Sequence, residues 1–331
     1  MKLSEETIKK EKKRLENTIE EIEHQLSHSE HSLTESNEEL KNFQRLRWEQ
    51  EHEMDQGERY SFVQENDTRI QDLDEKTKKV RNLLRIKDKP YFGSFIFNDE
   101  EIYLGITSVK KEMDYIVYDW RAPICSLFYD FELGHAKYTS PGGSEEGEIT
   151  QKRQYRIEKG KLKHVFDTNI NIDDDLLQEV LAESSNEKMK NIVNTIQMEQ
   201  NRVIRDESTK AMIVQGIAGS GKTSVALHRI AFLLYKIEYL TSQNVLIFSP
   251  NNVFTEYISN VLPDLGEENT LQTTYHQFAS SFISEYERVE SYSSFVERFY
   301  KGVRQDNDLI GFKLSDSSIK CIESYAKLYT K

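Results

Sequence analysis

Eight residues, GIAGSGKT from Gly216 to Thr223, fit the spacing G-x-x-x-x-G-K-[ST], a pattern whose chemistry is the holding of a polyphosphate. Gly219 and Gly221 can take positive φ and let backbone N–H groups approach phosphate oxygens with no Cβ in the way. Gly216, Ala218 and Ser220 complete the loop. Lys222 supplies a mobile positive charge for the β- and γ-phosphates, and Thr223 a hydroxyl that can ligate Mg2+. Gln200 precedes Lys222 by 22 residues, and its amide offers the donor and acceptor that suit the N6 and N7 edge of adenine. The expected ligand is ATP with Mg2+. A nucleotide motor also needs a carboxylate pair for metal and water, yet beyond Lys222 no apolar run is followed by Asp-Glu, and no arginine stands in a context suited to stabilising transferred charge. Asp206 and Glu207 lie before the loop, in a polar link. The catalytic set is incomplete, so the expectation is weak ATP binding and no measurable hydrolysis.

Such a loop must be delivered by a strand and followed by a helix. The order AMIVQ, glycine loop, SVALHRIAFLLYKI, NVLIFSP reads as strand, loop, helix, strand, the opening of a parallel α/β sheet. The expected fold class is therefore an incomplete α/β P-loop (RecA-like) motor domain over residues 171–283. Upstream, DDDLLQEVLAE and NEKMKNIVNTIQMEQNRVIRD read as helices, and residues 284–331 continue as helices with polar faces.

Ahead of the motor lie two other kinds of sequence. Residues 1–90 carry a narrow apolar seam, Leu15, Ile19, Ile22, Leu26, Leu33, Leu40 and Phe43, with gaps at Ser29 and Ser36, then a second, Val63, Ile70, Leu73, Val80 and Leu84, ended by Pro90. Spacings of threes, fours and sevens mark helices. Two seamed helices joined by a turn predict an antiparallel coiled-coil hairpin, each stripe burying the other; an intermolecular coiled coil would bury the same seam. At the turn, Glu49, Glu51, Glu53, Asp55 and Glu58 concentrate negative charge, either as a solvated tip or as carboxylates that reach a basic or metal-containing cavity of a partner. From residue 91 to 170 the period changes to two, in PYFGSFIF, EIYLGITSV, DYIVYDW, SLFYDFEL, HAKYTS, EITQKRQYRI and KLKHVFDT. Short spacing leaves no room for crossover helices, so these segments predict an antiparallel sheet. In YDWRAPI, Tyr118 to Ile124, Trp120 is expected to cover the sheet and Arg121 to pair with Asp119 or Asp130, the alternative being a direct ligand role. Asp130, Glu132 and Lys152 include no compact Glu-x-Lys, which argues against a nuclease metal site.

A formal net charge of −13 over 331 residues argues against bulk electrostatic coating of nucleic acid. Cys125 and Cys321 match no metal or redox spacing, as expected in a reducing compartment. No secretory h-region and no apolar run of about 18 residues is present, so the expected place is the cytoplasm and no membrane partner is implied.

IQMEQNRVIR, GIAGSGKT, SPNNVF (Ser249 to Phe254) and TTYHQFA (Thr273 to Ala279) resemble the first motifs of superfamily 1 helicases of the UvrD and Rep type. The seamed hairpin, YFGSF, YDWRAPI, Lys152 to Gln154 and TIQMEQNRVIR together resemble more narrowly the HelD-like bacterial proteins, helicase relatives that bind RNA polymerase. That resemblance implies a factor that binds core RNA polymerase, its hairpin entering the secondary channel with the tip carboxylates leading, and ATP turnover linked to release and recycling of the enzyme; the chain itself is expected to be a monomer. By analogy with DNA helicases, Ser249, Pro250, Asn251 and His276 would border single-stranded DNA. Residues 284–331 would begin a helical insertion, the chain being an N-terminal portion of a longer protein. Two other readings share these residues: a UvrD/Rep-type DNA helicase of repair, and an interaction module whose motor is inert.

Overall fold

The computed structural model describes residues 4–50, 55–167, 198–217, 219–282, 291–301, 311–313 and 315–329. The expected helices between residues 173 and 197, Ala218, and the tip residues Glu51 and Glu53 lie outside the described residues.

The hairpin is formed by α1 (Glu5–Gln50) and α2 (Gln56–Ile86). With 46 residues, α1 is about 70 Å long. Leu15, Ile22, Leu26 and Leu40 are buried along α1, while the α2 seam runs through Phe62, Val80, Leu83 and Ile86. Of the expected second seam, Val80 is buried and Leu73 half-buried, whereas Val63, Ile70 and Leu84 are exposed, their places taken near the ends by Phe62 and Leu83. Between the helices polar side chains also meet. Gln44 donates to Asn66 at 3.1 Å and Lys76 to Ser36 at 2.6 Å, so Ser36, one of the apparent gaps, is a seam position filled by a hydrogen bond. Nearer the tip, Phe43 stacks on Phe62 at 4.2 Å between ring centroids, with Arg69 over the Phe43 ring.

Seven strands follow in one sheet, β1 (Gly93–Phe97), β2 (Glu100–Gly105), β3 (Val109–Lys111), β4 (Asp114–Asp119), β5 (Gly134–Ser140), β6 (Gly143–Glu158) and β7 (Lys161–Asp167). Their order is β3-β4-β2-β1-β6-β5, with β7 also paired to β6. Two expectations need correction. The sheet is not purely antiparallel, because β2 and β4 run parallel, Leu104 opposite Tyr118 and Gly105 opposite Asp119. SLFYDFEL is not a strand: Pro123 opens a short 3-10 turn, and Ser126–Asp130 forms a helix, α3, that buries Leu127, Phe128 and Tyr129 in succession. Three consecutive inward residues fit a helical turn against a sheet better than the alternation of a strand.

The base of the hairpin and the sheet share one core, in which Leu15, Ile22, Leu83 and Ile86 pack with Tyr91, Tyr103, Val117, Tyr155 and Ile157. Each such side chain contributes about 1.5–3 kcal/mol by leaving water. Within it, Glu11 is wholly buried, accepts from Arg153 Nη1 at 2.8 Å and from the Tyr103 hydroxyl at 3.1 Å, and so ties α1 to the sheet.

The remaining elements are α4 (Met198–Arg205), α5 (Lys222–Lys236), β8 (Leu246–Ser249), α6 (Asn252–Asp264), β9 (Leu271–Thr274), α7 (Tyr275–Ser281), α8 (Tyr292–Tyr300) and α9 (Asp316–Tyr329). Among the described residues β8 pairs with β9 alone. Residues 211–215, expected as the first strand of a parallel sheet, form no strand, and Ile213 is 96% exposed. Among the described residues no strand lies beside this run, so its backbone groups have no ladder to join. The chain divides into two compact units, residues 1–247 with 256–271, and residues 248–255 with 272–331. In the second, Phe278 packs edge-on against Phe248 and against Phe282, each at 5.0 Å. Among the described residues no helix is long and apolar enough to cross a membrane.

Candidate nucleotide-phosphate site

The glycine loop takes the backbone shape that its sequence demands, without the strand. Gly219 and Gly221 have φ of 82° and 80°, a region in which a side chain is strained, and Gly221 is the N-cap of α5. A Cβ on Gly216 would stand 2.5 Å from Ser220 Oγ and would force that hydroxyl to turn away. The Ser220 N–H donates to Ile217 O at 3.3 Å. Lys222 folds back on its own loop, its Nζ donating to Gly216 O at 2.9 Å and to Ile217 O at 2.6 Å. Its ammonium therefore has carbonyl dipoles to exchange for phosphate oxygens, which carry full charge. Thr223 stands in the first turn of α5, where the helix N-terminus adds partial positive charge. Gln200, on α4, reaches the same place: its Nε2 is 3.4 Å from where a Cβ on Gly221 would be. Gln200 and Gly221 of the phosphate loop, 21 residues apart in sequence, are thus neighbours.

What brings α4 and α5 together is the YDWRAPI turn at the end of β4. Trp120 is wholly buried and meets His228 of α5 edge-on at 5.5 Å. Arg121 pairs with Asp119, one of its two expected partners, donating to Asp119 Oδ1 at 2.8 Å and Oδ2 at 2.7 Å. It also donates to Glu267, beyond the end of α6, and to Ala231 O of α5 at 3.4 Å. Burial works against the Arg121 charge, but Asp119 and Glu267 outweigh it and raise its pKa. Arg205 at the end of α4 donates to three carbonyls of the turn, Trp120 O at 2.6 Å, Arg121 O at 3.0 Å and Ala122 O at 3.5 Å. The expectation that Trp120 merely covers the sheet missed this joint. No local sequence pattern marks it; Arg229 adds to it by donating to Val203 O at 2.6 Å, which binds α5 to α4.

The other expected site residues have visible local roles. Asp55 caps α2, accepting from the Glu58 N–H at 2.8 Å while the Glu58 side chain accepts from the Asp55 N–H at 3.0 Å. Glu49 is exposed on α1. In the second unit, Ser249 is buried and Pro250 exposed; the Asn251 side chain accepts from Phe254 N–H at 2.9 Å at the start of α6. His276 is exposed on α7, whose N-terminus is capped by Thr274 with Gln277. Asp130 accepts from Asn201 at 2.7 Å, and buried Lys152, its pKa lowered by burial to about 8, donates to Phe128 O at 2.8 Å. Among the described residues no group of three His, Cys, Asp or Glu side chains can hold a metal ion.

Two family models match the chain. One, described as DNA helicase IV HelD, N-terminal domain, covers residues 8–186, more than half of the chain. The other, described as UvrD/REP helicase N-terminal domain, covers residues 193–313 and includes the glutamine, the glycine loop and α5. Comparison with curated proteins gives no match. With the HelD N-terminal domain followed by the start of a UvrD/Rep-type helicase domain, the chain belongs to the HelD-like branch of superfamily 1 helicases.

Proposed function

We propose that this chain is the ATP-binding part of a HelD-like factor that engages bacterial core RNA polymerase through its hairpin and promotes release of the enzyme from stalled or post-termination complexes. In this reading residues 171–283 belong to a RecA-like domain. Gly216 to Thr223 hold the triphosphate, Thr223 contributes a ligand to Mg2+, and Gln200 reads adenine. The chain's own residues bind and orient; no residue is assigned to water activation, so hydrolysis is not expected from these residues alone. The observation that carries the reading is the joining, through one buried turn at Trp120 and Arg121, of the sheet that seats the arm to the helix that begins at the phosphate loop. The tip supplies Glu49, Glu51, Glu53, Asp55 and Glu58 as the acidic contact surface, with Asp55 and Glu58 committed also to their cap.

The test is capture of core RNA polymerase by the full chain and by one whose arm is shortened, residues 37–71 being replaced by a tight turn. The shortened form keeps the base of the hairpin, whose Leu15, Ile22, Leu83 and Ile86 belong to the core of the sheet. Loss of capture is expected. Undiminished capture would overturn the assignment of the arm, and unwinding of a DNA duplex by the intact chain would favour a repair helicase instead.

A further inference from the structure

The glutamine proposed to read adenine is held from outside the motor segment. Gln200 is followed directly by Asn201, which is wholly buried and has its side-chain amide fixed at both ends. Its Oδ1 accepts from Arg205 Nε at 3.1 Å, and its Nδ2 donates to Asp130 Oδ1 at 2.7 Å. Asp130 ends α3 of the sheet region. Arg205 continues the line onto the carbonyls of Trp120, Arg121 and Ala122 and lies over the Phe232 ring of α5 at 5.3 Å. The anchored residues Asn201 and Arg205 fix one helical turn of α4, and Gln200, immediately before that turn, lies beside Gly221. A bidentate amide contact with a base tolerates little displacement, because both hydrogen bonds depend on direction as well as distance.

We propose that Asp130, Asn201 and Arg205 form a positioning relay that sets the reach of Gln200, so that preference for adenine over guanine nucleotides is controlled by the sheet region and not by the motor segment alone. The proposal rests on the nucleotide reading above and adds to it a second set of residues, none of which touches the ligand. Asp130 is the informative position. Asp130→Ala removes the acceptor for Asn201; Asp130→Asn keeps an acceptor oxygen in the same place. Both variants lose the negative charge felt by Lys152, so any difference between them reports the acceptor.

The experiment measures binding of fluorescent ATP, fluorescent GTP and inorganic tripolyphosphate to the full chain and to the two variants. Tripolyphosphate reports the glycine loop without a base. The expected result is a fall of about tenfold in the ATP to GTP affinity ratio for Asp130→Ala, equivalent to about 1.4 kcal/mol, with recovery of the ratio in Asp130→Asn and tripolyphosphate affinity unchanged in both. An unchanged ratio in Asp130→Ala, or a fall matched in Asp130→Asn, would overturn the relay. A parent chain that binds tripolyphosphate without preferring ATP would overturn the relay and leave the phosphate loop standing. A parent chain that binds none of the three would overturn the nucleotide reading and the relay with it.

Discussion

Arg121 grips both carboxylate oxygens of Asp119, two residues before it, while its remaining nitrogen reaches Glu267. The pair is almost fully removed from water, with side-chain exposures of 4% and 7%. Removing one member of such a pair strands the other charge in a medium that cannot solvate it. Arg121→Ala is expected to lower stability by about 3–5 kcal/mol. Arg121→Lys should recover only part, since an ammonium cannot reproduce the two-pronged contact. Denaturant unfolding followed by circular dichroism measures both; a loss under about 1 kcal/mol for the alanine variant would mean that the joint does not hold the molecule together.

A second buried pair secures the arm. Arg153→Ala leaves Glu11, wholly buried, with the Tyr103 hydroxyl as its other hydrogen-bond partner, whereas Asp167, which Arg153 also binds, is more exposed and can be solvated. A loss of about 3–5 kcal/mol is expected for the single change. Replacing Glu11 and Arg153 together by apolar residues should recover a large share, because no unpaired buried charge then remains. Thermal unfolding of the single and double variants checks this.

The pH dependence of stability should carry a signature of His228. Burial pushes its imidazole from 6.5 down to about 4, and its Nδ1, 2.7 Å from Ser224 O, must carry the proton because a carbonyl only accepts. The folded pKa lies below the unfolded one, so the unfolded chain binds the extra proton first. The contribution is complete above about pH 6.5, is lost as pH falls from 6.5 to about 4, and changes no further below that. The loss is on the order of 3 kcal/mol. Subtracting the pH profile of His228→Gln from that of the parent should isolate it; parallel profiles between pH 4 and 6.5 would contradict the assignment.

The order of helix, sheet and helix could be read from the sequence because apolar spacing changes period, from threes and fours around Leu15 and Ile22 to twos around Phe95 and Ile102. The α2 seam could be read only in part, at Val80, because Asn66 and Lys76 bond across the two helices and polar residues are invisible to an apolar count. α3 was hidden by its own composition: Leu127, Phe128 and Tyr129 look like strand residues until Pro123 is seen to start a turn. At the site, the glycine spacing pointed to positive φ at Gly219 and Gly221, where φ is 82° and 80°. The run AMIVQ has strand composition, but a strand is a pairing, and composition does not supply a neighbour. The joint of Trp120, Arg121, Arg205 and Glu267 was illegible because its members lie far apart, Arg121 and Glu267 by 146 residues, and no local pattern records such a meeting.

The most direct test of the central claim, that the loop from Gly216 to Thr223 holds a nucleotide triphosphate, is calorimetric titration of the full chain and of Lys222→Ala with Mg-ATP. Lys222 spans its own loop carbonyls and caps no other element, so its removal should spare the fold. Weak one-to-one binding by the parent chain, reduced at least about tenfold in the variant, or about 1.4 kcal/mol, is the predicted result. Equal affinity in the two chains, or no binding by the parent, would contradict it.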